Sequence, residues 1–314
     1  MEARNLGASG LRVSVVGLGC NNFGGRIGLE ESRAVVHKAL DLGITLFDTA
    51  DTYGNRGGSE DCLGQVLGER RKDIILATKF GMPMDDAKVL SGAARRYMMT
   101  AVEASLRRLR TDWIDLHQLH RPDVLTPIEE TLRALDDLIR QGKVRYVGNS
   151  NFAAWQAVEA HWTGRHHDLN RFVSCQNEYS LLKRDIEAEL VPAMQACGLG
   201  LLPYFPLAGG LLTGKYRRQA PLPQGTRFAR MQGLADRYLT PANWTIVERL
   251  EDFSARRGHG LLELAFSWLM ARRPVASVIA GATKPEQVEQ NVKAASWALT
   301  PDDLAEIDRL TRVP

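Results

Sequence analysis

Residues 44–54 read ITLFDTADTYG, a short β-prone run that ends on Asp48 and is followed five positions later by Tyr53. The stretch before it, 30–42, carries apolar positions at helical spacing and stops at Gly43. Helix, glycine, short strand and polar strand end therefore make one unit, and the same unit recurs outward in both directions. Residues 59–67 read as a helix and 74–78 as a strand ending at Lys79. After a helix over 100–109, the run 113–119 ends at His120. A helix over 127–139, with Gly142 beyond it, leads to a strand over 144–147 and a helix over 153–161. The second half continues with extended runs at 172–175, 199–202 and 275–280, and helices at 186–194, 244–256, 261–270 and 285–295. About eight such alternations predict a (β/α)8 TIM barrel of the α/β class.

Three additions to that repeat are expected. The glycines of NLGASG before the apolar run 13–18 predict an N-terminal β-hairpin. Between 203 and 240, after the seventh strand, lies a segment rich in Gly, Pro and Arg, far longer than the ~2–6 residues usual between barrel elements. The start TPDD at 300–303 predicts a C-terminal helix over 301–310. A doubly wound open sheet is the competing layout, but no strand is followed by GxGxxG, and Gly17, Gly19, Gly24 and Gly25 are spaced wrongly for it.

Composition narrows the function. A chain of 314 residues that is 44% hydrophobic can bury one large core, and a single domain over 1–314 is expected. The net charge of +3 is spread over both signs, with no basic track interleaved with aromatics, so nucleic-acid binding is not expected. No window approaches the ~18 apolar residues of a membrane span, and the N-terminus has no signal-peptide pattern. The four cysteines, Cys20, Cys62, Cys175 and Cys197, form no CxxC pair, which argues against a disulfide framework or a zinc site. A reducing cytoplasm is the expected location.

Strands of such a barrel end at a common mouth, so Asp48, Tyr53, Lys79 and His120 are candidates for one proton-handling site. An ordinary phenol, with a pKa near ~10, needs a nearby cation to exchange its proton around neutrality. Lys79 could be that cation, Asp48 could hold its ammonium, and His120 could donate a hydrogen bond to a substrate carbonyl. Each has a bland alternative: a rim aromatic for Tyr53, an isolated ion pair for Lys79. His117, three residues before His120 on one strand, should face the opposite side and read as a packed histidine. His166, His167 and Asp168 are read as a solvated loop, since consecutive side chains rarely converge on a metal.

Around these residues the chain resembles the aldo-keto reductase superfamily, in particular its bacterial and channel-subunit-like branch. FDTADTYG at 47–54, ATKFG at 77–81 and LHRPD at 119–123 look like its catalytic motifs. The resemblance implies a metal-free barrel that uses NADPH to reduce a small-molecule aldehyde or ketone. Tyr53 would be the acid, Lys79 its pKa-lowering partner, Asp48 the partner of Lys79, and His120 the carbonyl orienter. Ser150, Asn151 and Gln176 resemble the nicotinamide clamp and Tyr204 the aromatic that stacks on the ring. The loop 207–215, with Leu207, Gly209, Gly214 and Lys215, resembles the pyrophosphate holder. Gly281, Thr283, Lys284, Gln287, Gln290 and Asn291 resemble the adenosine end, Thr283 and Lys284 being suited to a 2′-phosphate at a helix start. Gln287 and Gln290 depart from the arginine and glutamate of some members, which leaves dual cofactor use open. Asn22, Phe23, Met82, Met84, Arg121 and the segment 205–238 are expected to wall the substrate pocket, Arg121 meeting either an anionic substrate or a rim salt-bridge partner. Two other functions remain: a cofactor-binding regulatory subunit with little turnover, and a lyase, isomerase or hydrolase using Lys79 as a Schiff-base amine or Asp48 and His120 as metal ligands. The sequence leaves the oligomeric state open.

Overall fold

Alternation of short apolar strands with amphipathic helices builds a parallel sheet, and here the sheet curls until its edges meet. The structure, a computed structural model, describes residues 1–312. An antiparallel pair, β1 (Ala3–Asn5) and β2 (Arg12–Ser14), comes first. Eight parallel strands follow: β3 (Val16–Gly19), β4 (Leu46–Asp48), β5 (Ile75–Phe80), β6 (Ile114–Leu119), β7 (Val144–Ser150), β8 (Ser174–Gln176), β9 (Gly200–Leu201) and β10 (Val278–Gly281). They pair in the order β10-β3-β4-β5-β6-β7-β8-β9. Closure comes from Leu201, whose N–H donates to Pro274 O at 2.6 Å and whose carbonyl accepts from Ala276 N at 3.0 Å. The expected (β/α)8 barrel is the fold.

Between the strands run α1 (Leu29–Asp41), α2 (Tyr53–Leu67), α3 (Arg95–Leu109), α4 (Ile128–Arg140), α5 (Ala154–His166) and α6 (Leu190–Cys197). After β9 come α7 (Arg227–Arg230), α8 (Gln232–Tyr238), α9 (Pro241–Arg256) and α10 (Leu261–Met270), and after β10 come α11 (Pro285–Ala294) and α12 (Pro301–Leu310). Among the described residues, no helix is long and apolar enough to cross a membrane.

Strand parity sorts the side chains. Phe47, Phe80, Val147, Cys175 and Leu201 point outward into the large core shared with the helices. Leu46, Ala77, Leu116, Leu202 and Ile279 point inward and meet Leu6, Leu11 and Val13 of the hairpin in a second, smaller core. The hairpin is thus an apolar plug at the N-terminal end of the barrel. One level further along the same strands the inward positions turn polar, at Asp48, Lys79, Gln118, Ser150 and Gln176.

Several local readings differ from the sequence expectation, among them the helix expected over 186–194, which is a 3-10 turn at Asp185–Glu187 followed by α6 from Leu190. The run 13–18 is two strands, because the chain leaves the plug for the barrel wall at Val15, whose N–H donates to Glu2 O at 3.0 Å. The helix expected to end at 161 continues to His166, and His167 Nε2 lies 3.2 Å from Glu129, so this pair of histidines is a helix end rather than a loop. In the long segment, the short 3-10 turn Ala208–Thr213 and helices α7 and α8 are tied down by the tilted ring contacts of Tyr216, Phe228 and Tyr238.

The plug depends on close backbone approach at Gly7, where φ is +60° and a Cβ would lie 2.5 Å from Gly198 O. Gly7→Ala should lower the unfolding free energy by about 2–4 kcal/mol, read by urea unfolding. Gly142→Ala is the control: φ there is +75° but nothing lies within 4 Å, so only backbone strain, about 1 kcal/mol, is expected.

Candidate active site

The polar level of the barrel opens at the C-terminal strand ends into a cleft of about 630 Å³. At its base Lys79, with no exposed surface, has each of its three N–H groups directed at an oxygen. Nζ donates to Asp48 Oδ2 at 2.7 Å, to Thr49 O at 2.9 Å and to Tyr53 OH at 3.5 Å. The other Asp48 oxygen accepts from Gln176 Nε2 at 2.9 Å and Gln118 Nε2 at 3.3 Å. Burial alone would lower the Lys79 pKa, but Asp48 and Tyr53 reverse that and raise it, so the ammonium persists.

Tyr53 reaches this cluster through an irregular start of α2: Gly54, Asn55 and Arg56 are left-handed, with φ of 65°, 60° and 66°. Regular helix resumes only after Gly57, near the sequence expectation of 59. Desolvation raises the phenol pKa above its ordinary value, and the downward pull of Lys79 does not overcome it. The expectation of a lowered Tyr53 pKa is therefore corrected: the phenol keeps its proton at neutral pH, and Lys79 is placed to stabilise the anion left when that proton goes.

His120 stands edge-on to Tyr53, with ring centroids 5.7 Å apart. Burial, then the charges of Lys79 and Arg121, hold its pKa down to about 3, so it is a neutral imidazole. His117 faces outward as parity requires, stacked on Phe80 at 4.6 Å, and burial lowers it to about 3 as well.

Ser150, Asn151, Gln176 and Tyr204 are brought together on the next strand ends. Ser150 Oγ donates to Gln176 O at 2.8 Å, Asn151 Nδ2 to His120 O at 3.0 Å, and Tyr204 OH to Asn151 Oδ1 at 2.7 Å. Beyond them Leu207, Gly209 and Lys215 line the cleft, as do Gly281, Thr283, Gln287, Gln290 and Asn291. Gly209 has φ +69°, and a Cβ there would meet the Phe228 ring at 2.8 Å, so the turn needs glycine. Gly214 and Lys284 are not on the cleft wall; Lys284 is exposed at the N-cap of α11. Both N and Oγ1 of Thr283 donate to Gln287 Oε1.

Several site residues escaped the sequence reading. Gln118 lies two positions before His120 and so shares its face, a signal that parity carried. Arg26 and Arg227 line the cleft beside Lys215, and among the described residues no carboxylate pairs with any of the three. Burial and mutual repulsion lower Lys215 and Arg227, while burial and Arg230 lower Arg26. Such a cluster fits a polyanion such as a dinucleotide's pyrophosphate. Asp51, within the quoted motif, is buried with neither carboxylate oxygen hydrogen-bonded; burial and Glu60 push it up to about 8.

The sequence model of the aldo/keto reductase family matches residues 15–312. A rice protein named as a probable voltage-gated potassium channel subunit beta (Oryza sativa subsp. japonica) is 36% identical over 324 residues, covering 99% of this chain and 97% of its own. L-glyceraldehyde 3-phosphate reductase of Escherichia coli (strain K12) is 36% identical over 321 residues, covering 98% and 92%. An uncharacterized oxidoreductase of Bacillus subtilis (strain 168) is 35% identical over 309 residues, covering 95% and 92%.

His117 and His120 give the fold an acid limit. Their folded pKa values of about 3 lie below the unfolded value near ~6.5, so the unfolded chain binds the extra protons. Their contribution to stability is complete above that unfolded value and is lost as the pH falls towards 3, at roughly 1 kcal/mol per pH unit for each imidazole. His117→Leu should flatten the slope of unfolding free energy against pH in that window, measured by urea unfolding.

Proposed function

Since this chain belongs to the aldo/keto reductase family, we propose that it is an NADPH-dependent oxidoreductase that reduces the carbonyl of a small aldehyde or ketone to an alcohol. The observation that carries this reading is the buried Asp48–Lys79 pair with Lys79 Nζ 3.5 Å from the Tyr53 hydroxyl. Use of NAD(P)H is general in the family, and the bound nicotinamide would supply the hydride to the carbonyl carbon.

The chain's own residues do the rest. His120, neutral and beside Tyr53, donates a hydrogen bond that holds the carbonyl oxygen. Tyr53 gives its phenolic proton to that oxygen as negative charge builds there, and Lys79 stabilises the resulting tyrosinate. Asp48 keeps Lys79 charged and fixed, and is itself fixed by Gln118 and Gln176. Ser150, Asn151, Gln176 and Tyr204 orient the nicotinamide, while Arg26, Lys215 and Arg227 take the pyrophosphate. Lys284 is the cation left for a 2′-phosphate, since Thr283 is already bonded to Gln287. On this reading residues 1–314 act as one catalytic domain.

A second reading is an NADPH-binding regulatory subunit with little turnover, favoured by the channel-subunit names of the rice and Arabidopsis thaliana relatives. Loss of absorbance at 340 nm with p-nitrobenzaldehyde separates the two, and the reductase should consume NADPH faster than NADH. Bound NADPH without consumption would favour the regulatory reading.

Tyr53→Phe should cut turnover by about 10²–10⁴-fold while NADPH affinity changes little, because the hydroxyl acts on the reacting carbonyl. Surviving turnover would overturn the assignment of the acid. Lys79→Met is the weaker probe, since stranding the buried Asp48 charge costs about 3–5 kcal/mol of stability on its own.

A further inference from the structure

The cations of the cleft fall into two groups. Arg26, Lys215 and Arg227 repel one another beside the 207–215 loop, where the pyrophosphate reading already uses them. Arg121 and Arg237 instead both act on Tyr204. Of these two, Arg237 is neutralised: it pairs with Glu178, which also accepts from Tyr238.

Arg121 is not neutralised. Among the described residues it makes no ion pair, hydrogen bond or aromatic stack, although it lines the cleft directly after His120. Its sequence neighbour Asp123 is fully engaged, accepting from Ala93 N at 2.8 Å, Leu125 N at 2.9 Å and Thr126 Oγ1 at 2.7 Å. Among the described residues Asp48 is the one carboxylate on the cleft wall, and Lys79 and two glutamines hold it. The rim salt bridge that would have explained Arg121 is therefore absent from the described residues.

The base of this side chain is nevertheless rigid. Asn151 fixes the carbonyl of His120, the three bonds to Asp123 fix the following turn, and Pro122 restricts the backbone of Arg121 itself to extended conformations. An exposed guanidinium on a fixed backbone, beside the carbonyl-orienting imidazole and paired with no acid among the described residues, is suited to recognise a planar or tetrahedral anion bidentately.

We propose that Arg121 is a specificity-determining residue and that the preferred substrates are aldehydes carrying an anionic group, a carboxylate or a phosphate, at the end away from the carbonyl. The inference rests on the reductase reading. The guanidinium anchors the anion while the carbonyl turns inward to His120 and Tyr53, so charge recognition and chemistry occupy opposite ends of a short substrate.

The test compares 4-carboxybenzaldehyde and 4-formylphenyl phosphate with the uncharged methyl 4-formylbenzoate, following NADPH consumption at low salt. At least one anionic aldehyde should exceed the ester in kcat/KM by about ten-fold or more, mainly through KM, as a charge-assisted contact implies. Which anion gains more distinguishes a carboxylate from a phosphate substrate. Arg121→Gln should bring the anion-to-ester ratio near one, Arg121→Lys should restore part of it, and added salt should lower it in the parent protein. An anionic aldehyde no better than the ester would overturn the inference while leaving the reductase reading standing. Equal losses with anion and ester in Arg121→Gln would also overturn it, as they mark a general role. No turnover of any of the three, with NADPH bound, would remove the reductase reading and this inference with it.

Discussion

A fully buried ammonium is the constraint around which the upper half of this barrel is organised. Lys79 sits on β5 between β4 and β6, where no water reaches it, and an uncompensated charge there would cost several kcal/mol. Three oxygens offset that cost, and each imposes a position. Asp48 must come from the inward face of β4, Thr49 O from the residue just past it, and the Tyr53 hydroxyl from a turn that doubles back. The register supports this, with Asp48 opposite Ala77 and Lys79 opposite Gln118. Gln118 and Gln176 then hold the second Asp48 oxygen, which couples β6 and β8 to the same charge. The left-handed turn at Gly54, Asn55 and Arg56, unfavourable by itself, persists because it delivers the phenol to this cluster.

Below that level the barrel is apolar. Leu46, Ala77, Leu116, Leu202 and Ile279 close against the hairpin residues Leu6, Leu11 and Val13, so the polar level has a dry floor. Dryness sets the protonation states: desolvation keeps Tyr53 protonated in spite of Lys79 and keeps His120 neutral. One phenol that retains its proton and one imidazole that carries no charge are the forms needed to protonate and orient a carbonyl.

The cleft is lined by several cations. Lys215, Arg227 and Arg26 crowd together with no carboxylate paired to them among the described residues, a placement that a folded chain tolerates poorly unless an anion relieves it. The long segment after β9 carries two of them. It is ordered by the rings of Tyr216, Phe228 and Tyr238, and its Phe205, held at φ +51°, turns into the cleft wall. A binding wall is what an insertion of that length most often builds.

From sequence alone the barrel, its hairpin and its four strand-end residues were legible, because each depends on short-range pattern. Apolar runs of strand length, glycines at helix ends and a polar residue just past each run are local facts, and parallel topology then forces the strand ends together. Parity likewise separated His120 from His117. The tertiary structure alone decided what depends on distant neighbours. Gln118 and Gln176 meet Asp48 because their strands curl around it, and Tyr53 keeps its proton because the surrounding core is dry. Asp51 lies within the same motif, yet its pKa is pushed up to about 8 by burial and by Glu60. Arg121 could be read from sequence as an anion site or a rim salt bridge. The choice turned on where Asp123 and Glu178 spend their oxygens, and ion pairing is settled by three-dimensional distance, which no local pattern encodes.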